Sequence, residues 1–237
     1  MHLGLIGPLP PPNGGMAMQT LQLARLLEKE GVVVELVQTN APYWPSIVGQ
    51  FQGLRALFRL LPYLRRVWRL AGGSDVIHLM ANSGWSWQLF AAPVIWSGWL
   101  RNTPVIVNYR GGEAREYLAA SARWVKPSMA RAACLVVPSG FLQQVFSEVG
   151  LPAAIIPNII DLDLFYPAAE PPVEAGFTLV ITRNLEPIYG LDTAIRALAL
   201  ARKAIPDIQL KIAGSGPQRA DLEKLAEGLS LGSAVVF

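Results

Sequence analysis

Arginines and glycines that directly follow predicted strands are the residues of this sequence best suited to bind an anion. Arg183 and Asn184 come at the end of one predicted strand, and Gly214 and Gly216 follow the next strand, immediately before a helix. A guanidinium group and the backbone N–H groups of a glycine loop at a helix N-terminus are typical phosphate ligands. Because ligands of parallel α/β sheets bind at the carboxyl ends of the strands, the two loops predict one shared ligand, with Arg183 reaching its phosphate.

A similar glycine pair lies near the amino terminus. Gly14 and Gly15 follow the first predicted strand, His2–Gly7, after a run of prolines, and they precede a predicted helix. Unshielded backbone amides at that point favour a phosphate, whereas a proline-stiffened turn without a ligand explains the same residues equally well. The sequence leaves both interpretations open.

Polar residues and glycines also follow the third and fourth predicted strands. They are His78, Asn82, Arg110, Gly111 and Glu113. An arginine, two glycines and a glutamate at one strand end are unusual for a plain turn, so Arg110 is predicted to bind an anion or a hydroxyl group. For His78 a structural role is the more common one.

Two kinds of site are disfavoured. With two histidines and one cysteine in the chain, no set of histidine, cysteine and carboxylate residues has metal-ligand spacing, so we expect neither a metal nor another cofactor. A dinucleotide site requires a tight Gly-x-Gly-x-x-Gly turn after the first strand and an acidic residue at the end of the second. The second strand ends in Val37-Gln38-Thr39-Asn40 instead, which argues against an NAD-dependent dehydrogenase.

The elements that must position these residues alternate between short apolar strands and longer helices. This alternation predicts an α/β fold with a parallel sheet that is covered on both faces. It stops at a segment with four prolines, Pro157, Pro167, Pro171 and Pro172, and then restarts. Because prolines in such number break both helix and sheet, we predict an interdomain linker there. One complete Rossmann-like domain is expected at residues 1–167, and an incomplete second one at residues 168–237.

The 237-residue chain is 52% hydrophobic, so it can bury a sizeable core. One predicted helix, Phe51–Arg69, carries five arginines and no acidic residue: Arg55, Arg59, Arg65, Arg66 and Arg69. Arginine-rich amphipathic helices bind anionic membrane surfaces, but a core helix with a solvated basic face fits the pattern equally well. Nucleic acid is not an expected partner, because no aromatic stacking platform accompanies the arginines.

Three features bear on the location of the protein. The single cysteine, Cys134, excludes an internal disulfide, and the amino terminus lacks a basic secretory leader. Both features predict a reducing, cytoplasmic location, and docking of the basic helix would make the protein peripheral on the inner face of the membrane. The nearly uncharged stretch Met80–Leu100 contains Gly84, Pro93 and Gly98, and it is predicted to be a core helix rather than a membrane span.

Six short motifs occur in the order found in a known family. They are Gly14-Gly15, Asp75-Val76-Ile77-His78, Val137-Pro138-Ser139, Ile156-Pro157-Asn158-Ile159-Ile160-Asp161, Thr182-Arg183-Asn184-Leu185 and Ala213-Gly214-Ser215-Gly216-Pro217. Together the motifs cover essentially the whole chain, which resembles bacterial family 4 glycosyltransferases of the group 1 type with the GT-B fold. The resemblance implies an amino-terminal acceptor domain and a carboxy-terminal domain that binds a nucleotide-sugar donor. It also implies a glycan or lipid-linked acceptor, retention at the anomeric carbon and no essential metal.

The resemblance implies roles for single residues. Gly14 and Gly15 match the loop that approaches the donor phosphates, and Arg183 matches the catalytic arginine that stabilises the departing diphosphate. Gly214 and Gly216 match the loop near the nucleoside. Preorganised cations and amides of this kind stabilise the negative charge of a leaving group. The residues expected to bind the donor are Gly14, Gly15, Asn184, Gly214 and Gly216, and those expected on the acceptor side are His78, Asn82, Arg110, Gly111 and Glu113.

Three departures from the family pattern bear on activity. Tyr189 stands before Gly190 where a lysine is common, and Arg110-Gly111 stands where a His-Gly is common. The paired glutamates that hold the sugar and ribose of the donor would lie beyond residue 237. The sequence therefore leaves two functions open. One is an active glycosyltransferase whose remaining residues lie outside this chain, and the other is a truncated, non-catalytic remnant that binds nucleotide sugar weakly or only protein partners.

Overall fold

The computed structural model describes residues 1–11, 14–42, 54–167 and 176–237, with no side-chain description for residues 54–57. Contacts between Cα atoms divide the chain into two compact units, Met1–Tyr166 and Pro167–Phe237. This division lies one residue before the boundary expected from the sequence. Residues 168–175 of the predicted linker lie outside the described residues.

The first unit contains a parallel sheet of six strands in the order β2-β1-β3-β4-β5-β6. The strands are β1 (His2–Gly7), β2 (Val33–Gln38), β3 (Val76–Ala81), β4 (Val105–Tyr109), β5 (Cys134–Val137) and β6 (Ala154–Ile155). Strand β1 is buried at every position after His2. Since successive residues of a strand point to opposite faces, this continuous burial shows that the sheet is covered on both sides.

Helices connect these strands. The described ones are α1 (Gly15–Lys29), α2 (Leu54–Gly73), α3 (Ala92–Arg101), α4 (Ala114–Met129) and α5 (Gly140–Glu148). A π-helical turn, Trp87–Ala91, leads into α3, and its Trp87 indole donates a 3.1 Å hydrogen bond to the hydroxyl of Ser128 on α4. The stretch predicted to be a core helix is helical from Trp85 onwards, whereas Met80 and Ala81 end β3. One side of the helix, with Trp87, Ala91, Val94 and Ile95, is buried inside the unit. Within the described residues, no helix has the length and apolar character needed to cross a bilayer.

The order of the strands reverses between β1 and β3. The chain passes from β1 to β2 on one side, returns to β3 on the other side of β1, and then continues outwards to β6. In the register of the sheet, Leu5 pairs with His78, and His78 pairs with Ile106. At such a switch point the chain leaves the two strands on opposite faces, which opens a crevice at their carboxyl ends.

The second unit contains a smaller parallel sheet in the order β7-β8-β9. Its elements are β7 (Thr178–Thr182), α6 (Leu191–Ala201), β8 (Gln209–Ala213), α7 (Arg219–Gly228) and β9 (Val235–Val236). Its core is apolar and contains Leu191, Ile195, Leu210, Ile212 and Leu222. The predicted α/β class, with one larger and one smaller parallel sheet, is confirmed.

Candidate functional site

Two loops of the second unit are joined through their backbones. The amide of Leu185, in the loop after β7, donates a 3.0 Å hydrogen bond to the carbonyl oxygen of Ser215, in the loop after β8. The amide of Gln218 donates in turn to the carbonyl oxygen of Leu185 at 3.1 Å. The Leu185 side chain is fully buried. It therefore anchors both loops at the carboxyl edge of the sheet.

The glycines of the second loop are needed for this contact. A Cβ atom on Gly216 would lie 2.7 Å from the amide nitrogen and 2.8 Å from the carbonyl carbon of Leu185. A Cβ atom on Gly214 would lie 2.9 Å from the carbonyl carbon of Arg183 and closer still to its oxygen. Both separations are too short for a real side chain, so the backbones approach closely because glycine stands at both positions.

Arg183 and Asn184 project from this double loop and are exposed. The guanidinium carbon of Arg183 lies 5.5 Å from the centre of the Tyr189 ring, within the distance of a cation–π interaction. The side-chain amide of Asn184 donates a 3.4 Å hydrogen bond to the carboxylate of Glu186. The predicted catalytic residue Arg183 thus lies on adjacent loops together with the three residues of this unit that are expected to bind the nucleotide sugar, Asn184, Gly214 and Gly216.

In the first unit, two of the predicted residues are linked through one buried asparagine. The Nδ2 and Oδ1 atoms of Asn108 lie 3.1 Å from His78 Nε2 and from Arg110 Nε respectively, and Asn108 is 2% exposed. Because Arg110 can only donate, Asn108 uses its oxygen towards Arg110 and its NH₂ group towards His78. His78 therefore accepts at Nε2, which makes it the neutral tautomer with its proton on Nδ1.

The pKa shifts of His78 and Arg110 agree with that assignment. Burial and the nearby Arg110 cation lower the pKa of His78 to about 4. Burial also lowers the pKa of Arg110 from its usual value, because the guanidinium loses part of its hydration. His78 thus serves as an uncharged hydrogen-bond acceptor at neutral pH. Among the three hydrogen-bonded residues His78, Asn108 and Arg110, the positive charge resides on Arg110.

Arg110 has a second partner beyond the sheet. Its Nη1 atom donates to Oδ1 of Asn158, in the segment after β6. That segment is fixed by Gln19 of α1, whose side-chain amide accepts from the Ile159 nitrogen at 3.2 Å and donates to the Ile159 oxygen at 3.0 Å. The position of the guanidinium is thus set by β3, β4, the segment after β6 and α1 together.

Gly111, which follows Arg110, lies in a tight cluster with Ser83, Tyr109 and Asn82. The Tyr109 hydroxyl is 2.8 Å from Ser83 Oγ, and a Cβ atom on Gly111 would lie 2.8 Å from that hydroxyl and 3.0 Å from Asn82 Oδ1. Asn82 and Gly111, which are both expected on the acceptor side, therefore lie close together. Glu113 is exposed, and its carboxylate makes no hydrogen bond or ion pair with the described residues.

Gly14 and Gly15 lie at the start of α1. Gly14 precedes the helix in an extended conformation with no side-chain cap, and no atom lies within 4 Å of a Cβ placed on either glycine. Since the first turn of α1 contains no acidic residue, its amides are compatible with an anion.

A cavity of about 250 Å³ opens at the switch point between β1 and β3. Its polar lining includes Thr39, Asn40, Arg59, Asn82 and Ser86. Asn40 shapes one wall, because its side-chain amide accepts from the Leu9 nitrogen and donates to the Leu9 oxygen, both at 2.8 Å. It thereby fixes the proline-rich loop after β1.

The predicted basic helix corresponds to α2, and its arginines are not equivalent. Arg65, Arg66 and Arg69 are exposed, whereas Arg59 is half-buried and lines the cavity. The side chain of Arg55 lies outside the described residues. Apolar side chains share the exposed surface, since Leu61 is 54% and Trp68 is 44% exposed.

Four residues that organise the first unit were absent from the sequence-based site: Gln19, Asn40, Asn108 and Asn158. Asn108 stands inside an apolar strand, and a buried polar residue there signals a required hydrogen bond. Asn158 belongs to the sequence motif Ile156-Pro157-Asn158-Ile159-Ile160-Asp161. Nothing in the local sequence marks Gln19, whose partner is 140 residues away.

The comparisons with known proteins match both units. The profile for Glycosyltransferase Family 4 matches residues 13–164, and that for Glycosyl transferases group 1 matches residues 166–237. A phosphatidyl-myo-inositol mannosyltransferase of Mycobacterium tuberculosis is 25% identical over 235 residues, covering 91% of this chain and 61% of its own length. The chain therefore spans less than two thirds of the curated relatives it matches.

Solved structures share the fold at low identity. The lipopolysaccharide outer core galactosyltransferase WaaB has 11% identity and a TM-score of 0.57, covering all of this chain and 67% of its own. The UDP-GlcNAc 2-epimerase of Methanocaldococcus jannaschii has 10% identity and a TM-score of 0.55, with 100% and 72% covered. At these identities the likeness establishes the architecture alone.

Proposed function

Since the chain belongs to the family 4 glycosyltransferases with the GT-B fold, we propose that it transfers a sugar from a nucleotide-sugar donor to a glycan or lipid-linked acceptor. The hydrogen bond between Leu185 and Ser215 is the observation that carries this proposal. It joins the Arg183 loop to the Gly214–Gly216 loop, so that a cation and glycine amides are available to one ligand. Phosphate groups of a nucleotide fit this set of donors.

In this proposal, Arg183 acts on the leaving group. Cleavage of the bond between sugar and nucleotide leaves negative charge on the diphosphate, and a preorganised guanidinium stabilises it more than it stabilises the substrate. Asn184, Gly214 and Gly216 line the donor site with Arg183. In the first unit, the open amides of Gly14 and Gly15 are suited to a phosphate. No metal or other cofactor is required, and the configuration at the anomeric carbon is retained.

The acceptor binds to the first unit in this proposal. The crevice at the β1–β3 switch point supplies hydroxyl, amide and guanidinium groups, which are suited to sugar hydroxyls and phosphate. By its name, the mannosyltransferase described above acts on phosphatidyl-myo-inositol. This relative supports a lipid-linked acceptor here.

We further propose that the protein works in the cytoplasm at the inner face of the membrane, where α2 meets anionic lipid. Arg65, Arg66 and Arg69 are exposed beside Leu61 and Trp68. Surfaces that combine arginines with an exposed tryptophan and leucine suit the interface between lipid headgroups and acyl chains.

Calorimetry with UDP and GDP tests the donor site. The wild-type chain is expected to bind one of the two nucleotides, and Arg183→Ala should weaken that binding by about 10- to 150-fold, the equivalent of the ~1.5–3 kcal/mol contributed by a charge-assisted hydrogen bond. Arg196→Ala is the matched control, since Arg196 is an exposed arginine on α6 of the same unit. Equal affinities for wild type and Arg183→Ala would refute the assignment.

A further inference from the structure

Arg110 has more hydrogen-bond donors than the described residues use. A guanidinium group carries five N–H donors. The Nε donor is taken by Asn108 and one Nη1 donor by Asn158, and both acceptors are neutral amide oxygens. The remaining donors make no hydrogen bond to a described residue, although the side chain is half-buried.

The positive charge of Arg110 has no carboxylate partner among the described residues. Their ion pairs join other basic residues, such as Arg115 and Arg219, to acidic ones, and the sequence contains no aspartate or glutamate from Val76 to Gly112. His78 brings no negative charge either, because it is neutral and only accepts a hydrogen bond from Asn108. A partly desolvated cation of this kind is stabilised when an anion binds.

The guanidinium is also held in a fixed orientation. Asn108 is buried and is itself oriented by His78, while Asn158 lies next to Ile159, which Gln19 clamps from α1. Little conformational entropy is therefore lost when a ligand binds to the remaining donors. On the same strand end, Gly112 is exposed and has no atom within 4 Å of its Cβ position, so the backbone leaves space for a ligand.

We propose that Arg110 is the receptor for a negatively charged group, a carboxylate or a phosphate, on the sugar substrate that binds at this edge of the first sheet. The planar fork of a guanidinium matches either group through two parallel hydrogen bonds. The proposal rests on the proposed function in one respect, that the ligand is a sugar. It narrows the substrate to an acidic sugar or a sugar phosphate.

The test follows the side-chain Nε–Hε resonance of Arg110 by NMR in the full chain. The probes are glucuronate, glucose 6-phosphate and glucose, which differ only in the group at the sixth carbon. Saturable shifts are expected with at least one of the two anionic probes and not with glucose. Arg110→Gln should abolish the corresponding binding measured by calorimetry. Comparison of the two anionic probes distinguishes a carboxylate from a phosphate ligand.

Two further variants separate binding from folding. Arg110→Lys retains the charge but loses the fork, so it should bind the anionic probe at least tenfold more weakly while keeping the wild-type urea midpoint. Arg115→Gln removes an arginine that is paired with Glu148 at 2.9 Å, and it should bind the probe as the wild type does. Equal affinity of wild type and Arg110→Lys, or equal shifts with glucose and the anionic probes, would overturn the inference.

UDP and GDP in the same samples keep this inference separate from the proposed function. A nucleotide that shifts the Arg183 resonance while neither anionic probe shifts Arg110 refutes the anion receptor alone. Anionic probes that shift Arg110 while no nucleotide binds at Arg183 refute the donor site and leave the anion receptor supported.

Discussion

The Cβ position of Gly214 lies 2.9 Å from the carbonyl carbon of Arg183, so the loop after β8 packs directly on the backbone that carries the arginine. No side chain fits between the two loops. The position of the Arg183 guanidinium therefore depends on the absence of a side chain at Gly214.

Gly214→Ala is expected to push these loops apart. The added methyl group would collide with the Arg183 carbonyl, and overpacking of this kind costs about 1–3 kcal/mol. We expect a lower urea midpoint and weaker nucleotide binding by calorimetry. Gly228→Ala is the control, because Gly228 ends α7 with no atom within 4 Å of its Cβ position. Wild-type behaviour of Gly214→Ala would show that the loops are not held together in solution.

Gly111→Ala should disturb the first unit in the same way. Its methyl group would meet the Tyr109 hydroxyl and Asn82, and the hydrogen bond between Tyr109 and Ser83 would have to break. A loss of about 1–3 kcal/mol in the free energy of unfolding is expected. The neighbouring Gly112→Ala adds the same methyl group in open space and should be nearly neutral. The prediction fails if urea unfolding shows equal effects for the two variants.

His78 is expected to make the stability of the protein depend on pH. Its pKa is about 4 in the folded state, against 6.5 for an unperturbed histidine. Between these values the unfolded state binds more protons, so stability is complete above pH 6.5 and declines as the pH falls towards 4. Urea unfolding should show this decline, with a slope from this group of at most about 1.4 kcal/mol per pH unit.

His78→Gln should make the slope between pH 6.5 and 4 shallower, because the variant has no imidazole to protonate. The glutamine can still accept a hydrogen bond from Asn108. An unchanged slope would show that the decline comes from another titrating group.

Loss of the exposed arginines of α2 should weaken binding to anionic membranes. The combined change Arg65→Gln, Arg66→Gln and Arg69→Gln removes about 3 kcal/mol of attraction at roughly 1 kcal/mol per arginine, which corresponds to about 150-fold in affinity. Flotation with vesicles of phosphatidylglycerol and phosphatidylcholine measures it, at low and at high salt. Vesicles of phosphatidylcholine alone should bind neither protein.

The matched control removes the same charge elsewhere. Arg115, Arg123 and Arg196 lie on α4 and α6 and are replaced together by glutamine. This variant should float with anionic vesicles as the wild type does, apart from a small effect of net charge. If both triple variants lose binding equally, the attraction is a property of net charge and not of α2.

The alternation of strands and helices could be predicted because it depends on local patterns. Strands such as β1 and β5 are almost entirely apolar, and only a sheet covered on both faces can bury such runs. The helix ends were less predictable: α2 continues to Gly73, four residues beyond the expected end at Arg69, because tertiary packing of Leu70 and Ala71 outweighs the low helix propensity of glycine.

The sequence by itself determined the fold class, the family, and the residue types that could bind phosphate, since these follow from local periodicity and from short motifs in a fixed order. Only the tertiary structure decided which of those residues meet. In the structure, Asn108 links His78 to Arg110 through two hydrogen bonds. Arg110 also donates to Asn158, in the segment that Gln19 holds in place. Arg59 lines a cavity, unlike the exposed arginines of α2. The physical reason is that hydrogen bonds of buried polar groups are satisfied between strand ends and helices that are far apart in the chain. Local sequence carries no record of that pairing.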